Sequence, residues 1–129
     1  MSIPVHGDYR ISVFHVATST YASLKIERRH YPHWIASHVL QGSVHTTLEG
    51  APVIARAGDV MIHPANLPFD EIAHHAGVHQ WILFEAQTEV GLDLFNVYPV
   101  GDVVTLTDAK AYVAVFESLR QAWESGAQW

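Results

Sequence analysis

The sequence predicts a mainly β fold, a small barrel or sandwich of eight or nine short strands followed by one C-terminal helix. Three observations carry that expectation. Between Ile11 and Glu85, short runs rich in β-branched and aromatic residues alternate with Gly, Pro, Asn and Ser turn signals. No three- and four-residue apolar period appears before Thr107. Beyond it, Ala109, Tyr112, Val113, Phe116, Leu119 and Trp123 fall on one stripe, the signature of an amphipathic helix.

Taken in order, residues 1–10 read as an irregular arm, because Pro4 and Gly7 oppose regular structure. Ile11–Ala17 alternates as a strand, and Ser19-Thr20 mark a turn. Tyr21–Glu27 alternates again and runs into Arg28-Arg29-His30 before Tyr31-Pro32-His33 breaks it. Trp34–Leu40 is a strand closed by Gln41-Gly42. Ser43–Leu48 sets Val44, Thr46 and Leu48 against Ser43, His45 and Thr47, with Glu49-Gly50 as a hairpin turn and Val53–Arg56 as the returning strand. The stretch GDVMIHPANLPF, Gly58–Phe69, combines a turn, the short strand Val60–His63, and a corner at Pro64, which has no N–H to give a ladder. Glu71–His75 is a further strand, and Val78–Glu85 is the strongest strand pattern of all. Thr107 or Asp108 caps the helix, Gly126 suits its left-handed stop, and its length is roughly five turns. Residues 1–106 thus form the barrel with its arm (about 1–10), and 107–126 the helix.

The chain has 129 residues, enough for one domain with a real core. It has no cysteine, hence no disulfide framework and no thiolate metal site, which suits a reducing cytoplasm. No run approaches membrane-spanning length, and the N-terminus lacks the plan of a signal peptide. Thirteen acidic against seven basic side chains give −6, a field that repels DNA. The ten histidines are scattered, with no His-x-His or helical His-x3-His pair to mark a metal site.

Gly58, Pro64, Asn66 and Phe69 have the spacing of the second cupin motif, and Gly42 stands where the first motif closes. Within cupins, the chain most resembles the N-terminal effector-binding domain of AraC-family transcription regulators. Ile26-Glu27-Arg28, the Gly58-Asp59 strand with its proline corner, and His79-Gln80-Trp81 followed by Phe84 carry that resemblance over about residues 20–125. It implies a double-stranded β-helix, or jelly-roll, barrel. The helix from Thr107 sits where the family begins its dimerisation helices. Metal-binding cupins place two histidines and a glutamate in the first motif and a third histidine in the second. Here the glutamate position is Ile35 and the third histidine position is Phe69; the earlier two fall on Arg28 and His30, or on Arg29 and Tyr31 with the shorter spacing. At most one ligand survives, so no metal and no other cofactor is expected.

The candidate ligand-binding residues are Arg28, His30, Val39, His63, Phe69, Glu71, His79 and Trp81. Trp81 is either a core tryptophan or a stacking face for a ligand, as the resemblance implies. Arg28 matches the family's sugar-contacting arginine, and its fork of donors suits an oxygen-rich ligand; Arg29 beside it leaves the alignment open by one residue, and a one-residue slip reverses the face. His79 shares Trp81's face by the two-residue period. Ser37 and Val39 alternate inward with Ile35, leaving His38 to face out. Phe69 and Glu71 stand where the family has a pocket-lining histidine and tyrosine, which implies a ligand different from arabinose. Tyr112, Phe116, Leu119 and Trp123 form either a dimer seam or a cover for the barrel.

The expected function is that of a sensing and dimerisation domain of an AraC-type regulator, a homodimer without enzymatic activity. A small effector, a sugar or other polar metabolite, enters the barrel and the arm closes over it. DNA is reached only through helix-turn-helix modules outside this chain. The alternative is a metal-dependent cupin enzyme, an isomerase or dioxygenase, using an unconventional set among His30, His38, His45, His63 and His79. A standalone cupin scaffold protein is a third reading. No G-x-S-x-G elbow or other nucleophile motif is present.

Overall fold

Two antiparallel sheets face each other in the computed structural model, which describes residues 9–88, 90–97 and 100–126. The strands are β1 (Tyr9–Tyr21), β2 (Leu24–Arg29), β3 (Trp34–Gln41), β4 (Ser43–Thr47), β5 (Val53–Arg56), β6 (Asp59–His63), β7 (Phe69–Ala73), β8 (Gly77–Thr88) and β9 (Val103–Thr105). The helices are α1 (Leu94–Val97) and α2 (Ala109–Glu124). One sheet has the order β1-β8-β3-β6-β9 and the other β2-β7-β4-β5.

Period-2 alternation sorts each strand between two destinations. Val39 and Met61 from the larger sheet meet Val44, Ala55 and Ala73 from the smaller one, and this is the inner core. The alternate residues Ala36, Val60, Phe84 and Ala86 leave the larger sheet by its other face, where they pack with Leu94 and Phe95 of α1 and with Tyr112 of α2. The larger sheet is therefore covered on both sides. That explains why six consecutive residues of β3, Trp34 to Val39, are all buried. His38 does leave the barrel interior, as its parity requires, yet it is buried at 1% exposure because Tyr112 stands 4.9 Å from its ring.

Several expected boundaries are corrected. Ser19-Thr20 is not a turn: β1 is a thirteen-residue strand paired with β8, with one register shift between Val13 and His15 and regular pairing from His15↔Leu83 to Tyr21↔Gly77. Continuous pairing overrides the weak turn preference of Ser and Thr, and the turn falls at Ala22-Ser23 instead. Tyr9 and Arg10 belong to that strand, not to an arm; residues 1–8, the rest of the expected arm, lie outside the described residues. The chain becomes extended at Phe69, directly after the Pro68 corner, and β7 ends at Ala73 rather than His75; α1 and β9 lie outside the expected elements.

The helix begins as anticipated, with Asp108 as its cap: Oδ1 accepts a hydrogen bond from the Ala111 N–H at 3.0 Å. Gly126 follows its last turn at φ 77°, the left-handed conformation that glycine adopts without strain. Its apolar stripe is used on the chain's own barrel. Phe116 is 3% exposed, Tyr112 packs on the outer core, and the Trp123 ring lies edge-on to His15 at 6.2 Å. Tyr112 and Phe116 thus serve as barrel cover rather than as a free seam; Leu119 and Trp123 are half-buried.

Candidate functional site

Beside the inner core the two sheets form a partly open cavity of about 130 Å³. Its wall is formed by Ser19 and Tyr21 of β1, Leu24, Ile26 and Arg29 of β2, Tyr31 before β3, Ile35 and Ser37 of β3, Phe69 and Glu71 of β7, and His79 and Trp81 of β8. Register places these side chains together: Ser37 faces Trp81, Ser19 faces His79, and Ile26 faces Glu71 across their ladders.

Two hydrogen bonds fix the aromatic wall. Trp81 Nε1–H donates to Ser19 Oγ at 2.9 Å, and the Tyr21 hydroxyl is bonded to His79 Nε2 at 2.8 Å. The close approach of β1 to β8 at Tyr21 needs a glycine opposite, since a Cβ on Gly77 would stand 2.5 Å from the Tyr21 hydroxyl. Behind the wall, His63 stacks on Phe69 with ring centroids 4.0 Å apart and 4° between planes, and its Nε2 is bonded to Thr46 Oγ1 at 2.8 Å. Its Nδ1 has no hydrogen-bond partner among the described residues; Glu71 Oε1, at 3.6 Å, is too far for one.

Burial governs the protonation of this group. It pushes the Glu71 carboxyl up to about 7, against a partly compensating pull from Arg29. It pushes His63 down to about 4, helped by nearby His79, and His79 itself down to about 4. Burial and then the charge of Glu71 raise the Tyr21 hydroxyl. The His63–Glu71 contact is therefore a neutral imidazole beside a carboxyl that is protonated below about pH 7, not an ion pair.

Phe69, Glu71, His79 and Trp81 line the cavity. His63 stands one layer back, behind Phe69. Val39, at 0% exposure, belongs to the inner core beyond the cavity. Arg28 and His30 are exposed and are not brought to it. The reason for Arg28 is a β-bulge. The β2–β7 register shifts between Ile26 and Arg29, so Arg29 takes the place opposite Phe69 that Arg28 would hold in a regular ladder. Arg28 takes a left-handed φ of 48°, and its backbone N–H donates to Asp70 Oδ1 at 2.7 Å. Ser19 reaches the wall because β1 continues through the expected turn at Ser19-Thr20, which gives it the same inward parity as Tyr21.

The same bulge decides whether a cupin metal fits. The four positions where metal-binding cupins place ligands are Arg29, Tyr31, Ile35 and Phe69 on the shorter spacing, and all four line the cavity. Their side chains offer a guanidinium, a phenol and two hydrocarbons, so a metal does not fit there. Nor do the scattered histidines converge. His30 is exposed, His38 lies under α2, and His45 faces His74 at a ring distance of 6.4 Å. Among the described residues no three His, Asp or Glu side chains are grouped to hold an ion.

No family model and no curated protein matches the sequence. Solved structures do. A cupin superfamily protein from Desulfitobacterium hafniense is 13% identical over 63% of this chain and 82% of that one, with a TM-score of 0.50. An RmlC-like cupin from Shewanella frigidimarina is 14% identical over 63% and 79%, at 0.47. An RmlC-like cupin family protein with a double-stranded β-helix fold, from Methanocaldococcus jannaschii, is 9% identical over 65% and 84%, at 0.46. At such identities the likeness concerns the fold alone. The chain has a cupin fold, mainly β and jelly-roll in architecture, extended by α2. No helix among the described residues is long and apolar enough to cross a membrane.

Proposed function

We propose that this barrel is the effector-sensing domain of a regulator of the AraC type, and that its cavity binds a small polar metabolite without transforming it. One observation carries the reading. Of the four positions that converge on the cupin centre only Tyr31 carries a group that could ligate a metal, too few to hold an ion, while aromatic faces and hydrogen-bonding groups surround the same space. Such a lining is that of an organic-ligand pocket. A cavity of about 130 Å³ is close to the ~150 Å³ that takes up one benzene ring, which suits a small metabolite. Sensing is served by a short aromatic path: Trp81 lies 5.0 Å from His15, and His15 lies 6.2 Å from Trp123 in the last turn of α2. In this reading α2 passes ligand occupancy to attached DNA-binding modules, and a second copy of the chain meets the helix on its exposed side, where Val115 stands 69% exposed.

Isothermal titration of a panel of pentoses, polyols and small amino acids tests the proposal. A binder whose affinity falls about tenfold or more in Trp81→Ala is expected, since the indole face is the largest apolar contact on offer. Unchanged affinity in that variant would sink the pocket assignment. Stoichiometric iron, zinc or manganese in untagged protein would favour an enzyme instead.

A further inference from the structure

The cavity is lined by a guanidinium and a carboxyl that form no ion pair with each other. Glu71 lies at its wall, 5% exposed, and Arg29 reaches it from the rim. Among the described residues Arg29 joins no ion pair, and the one basic side chain within 4.0 Å of the Glu71 carboxyl is the uncharged imidazole of His63, at 3.6 Å. Elsewhere the chain pairs its charges readily: Arg120 holds both Glu117 and Glu124, and Lys25 holds Glu27. A cation and an acid that line one small space without pairing form the complement of a molecule carrying both signs.

We infer that the ligand is a small zwitterion, an amino acid of about six non-hydrogen atoms, with its carboxylate on the Arg29 guanidinium and its ammonium group on the Glu71 carboxylate. The assignment rests on the small-metabolite reading above and narrows it. Benzene fits a host of ~150 Å³, and the cavity of about 130 Å³ accommodates a molecule the size of alanine, β-alanine or serine. A guanidinium grips a carboxylate through two parallel N–H bonds. The aromatic walls, Trp81, Tyr21, Phe69 and Tyr31, suit an ammonium group as well as its apolar carbons. The remaining titratable groups facing Glu71 are Tyr21 from β1, His63 from β6 and His79 from β8, all uncharged at neutral pH. An arriving ammonium therefore meets no competing cation near Glu71 except Arg29, which its own carboxylate neutralises. Because an isolated Glu71 ionises only near neutrality, binding below pH 7 drives its proton off into the buffer.

Calorimetry on the full chain with L-alanine, L-serine, β-alanine, propylamine, propionate and L-arabinose tests this. One of the three zwitterions is expected to bind at least tenfold tighter than propylamine or propionate, as two charge-assisted contacts outweigh one. At pH 6.5 its heat is expected to vary with the ionisation enthalpy of the buffer, showing proton release; at pH 8.5 it is not. Arg29→Gln, at an exposed position, should bring the zwitterion down to propylamine's affinity and leave propylamine unchanged. Glu71→Gln, close in shape, should bring it down to propionate's and remove the buffer dependence. Binding of L-arabinose with none of the zwitterions bound would overturn the zwitterion while leaving the small-metabolite reading intact. No binding by any member, or a zwitterion bound equally well by both variants, would also overturn it.

Discussion

Glu71→Gln is expected to stabilise the protein by about 3 kcal/mol at pH 8 and to change its stability far less at pH 4.5. In the unfolded chain this acid ionises near 4.5, and in the folded barrel near 7. The folded state thus keeps a proton that the unfolded state gives up. The stability linked to that proton is complete below pH 4.5, fades between 4.5 and 7, and is absent above 7, where a buried charge must be carried. Moving a pKa from 4.5 to about 7 corresponds to about 3 kcal/mol. Glutamine has the same shape and never ionises, so the variant escapes the loss. His63 and His79 act in the opposite sense. Their folded values near 4 lie below the unfolded 6.5, so both proteins lose stability as pH falls from 6.5 towards 4. Urea denaturation at several pH values checks this; a difference between the two proteins that does not change with pH would contradict it.

Phe116→Ala is expected to cost about 3–5 kcal/mol, the range for emptying a phenylalanine site in a core. The ring is 3% exposed, and α2 packs along β1 over the larger sheet. Without it α2 loses its one fully buried side chain, the anchor of the helix on the barrel. Denaturation should show the loss at every protein concentration, since the contact is within one chain. A variant of unchanged stability that shifted only a monomer–dimer equilibrium would instead make Phe116 part of a seam.

How far the fold is legible from the sequence depends on how local its causes are. Strands β3 to β6 emerge nearly at their true ends, because alternation and the turns at Gly42, Gly50 and Gly58 are local signals; all three glycines have φ between 80° and 94°. The length of β1 does not emerge, since it is set by pairing with a strand some sixty residues away. The three-residue β9 and four-residue α1 are too short for a period to appear. His38 shows the same division: parity sends it outward, but only the placement of α2 makes outward mean buried. Within the site, Phe69, Glu71, His79 and Trp81 follow from the two-residue period, whereas Arg29 depends on an extra residue that alternation alone does not reveal. The adjacent arginines carried the ambiguity, and the bulge resolved it.

The most direct test of the central proposal, that the cavity is a ligand site, is an NMR titration of the tryptophan indole N–H signals with the same panel of small metabolites. Trp81 Nε1–H, held by Ser19 at the cavity wall, should shift saturably with a binding member. Trp34 Nε1–H, bonded to Asp93 at 2.7 Å on the far side of the larger sheet, should stay in place. A saturable shift at Trp34 with Trp81 unmoved, or no saturable shift at Trp81 across the panel, would contradict it.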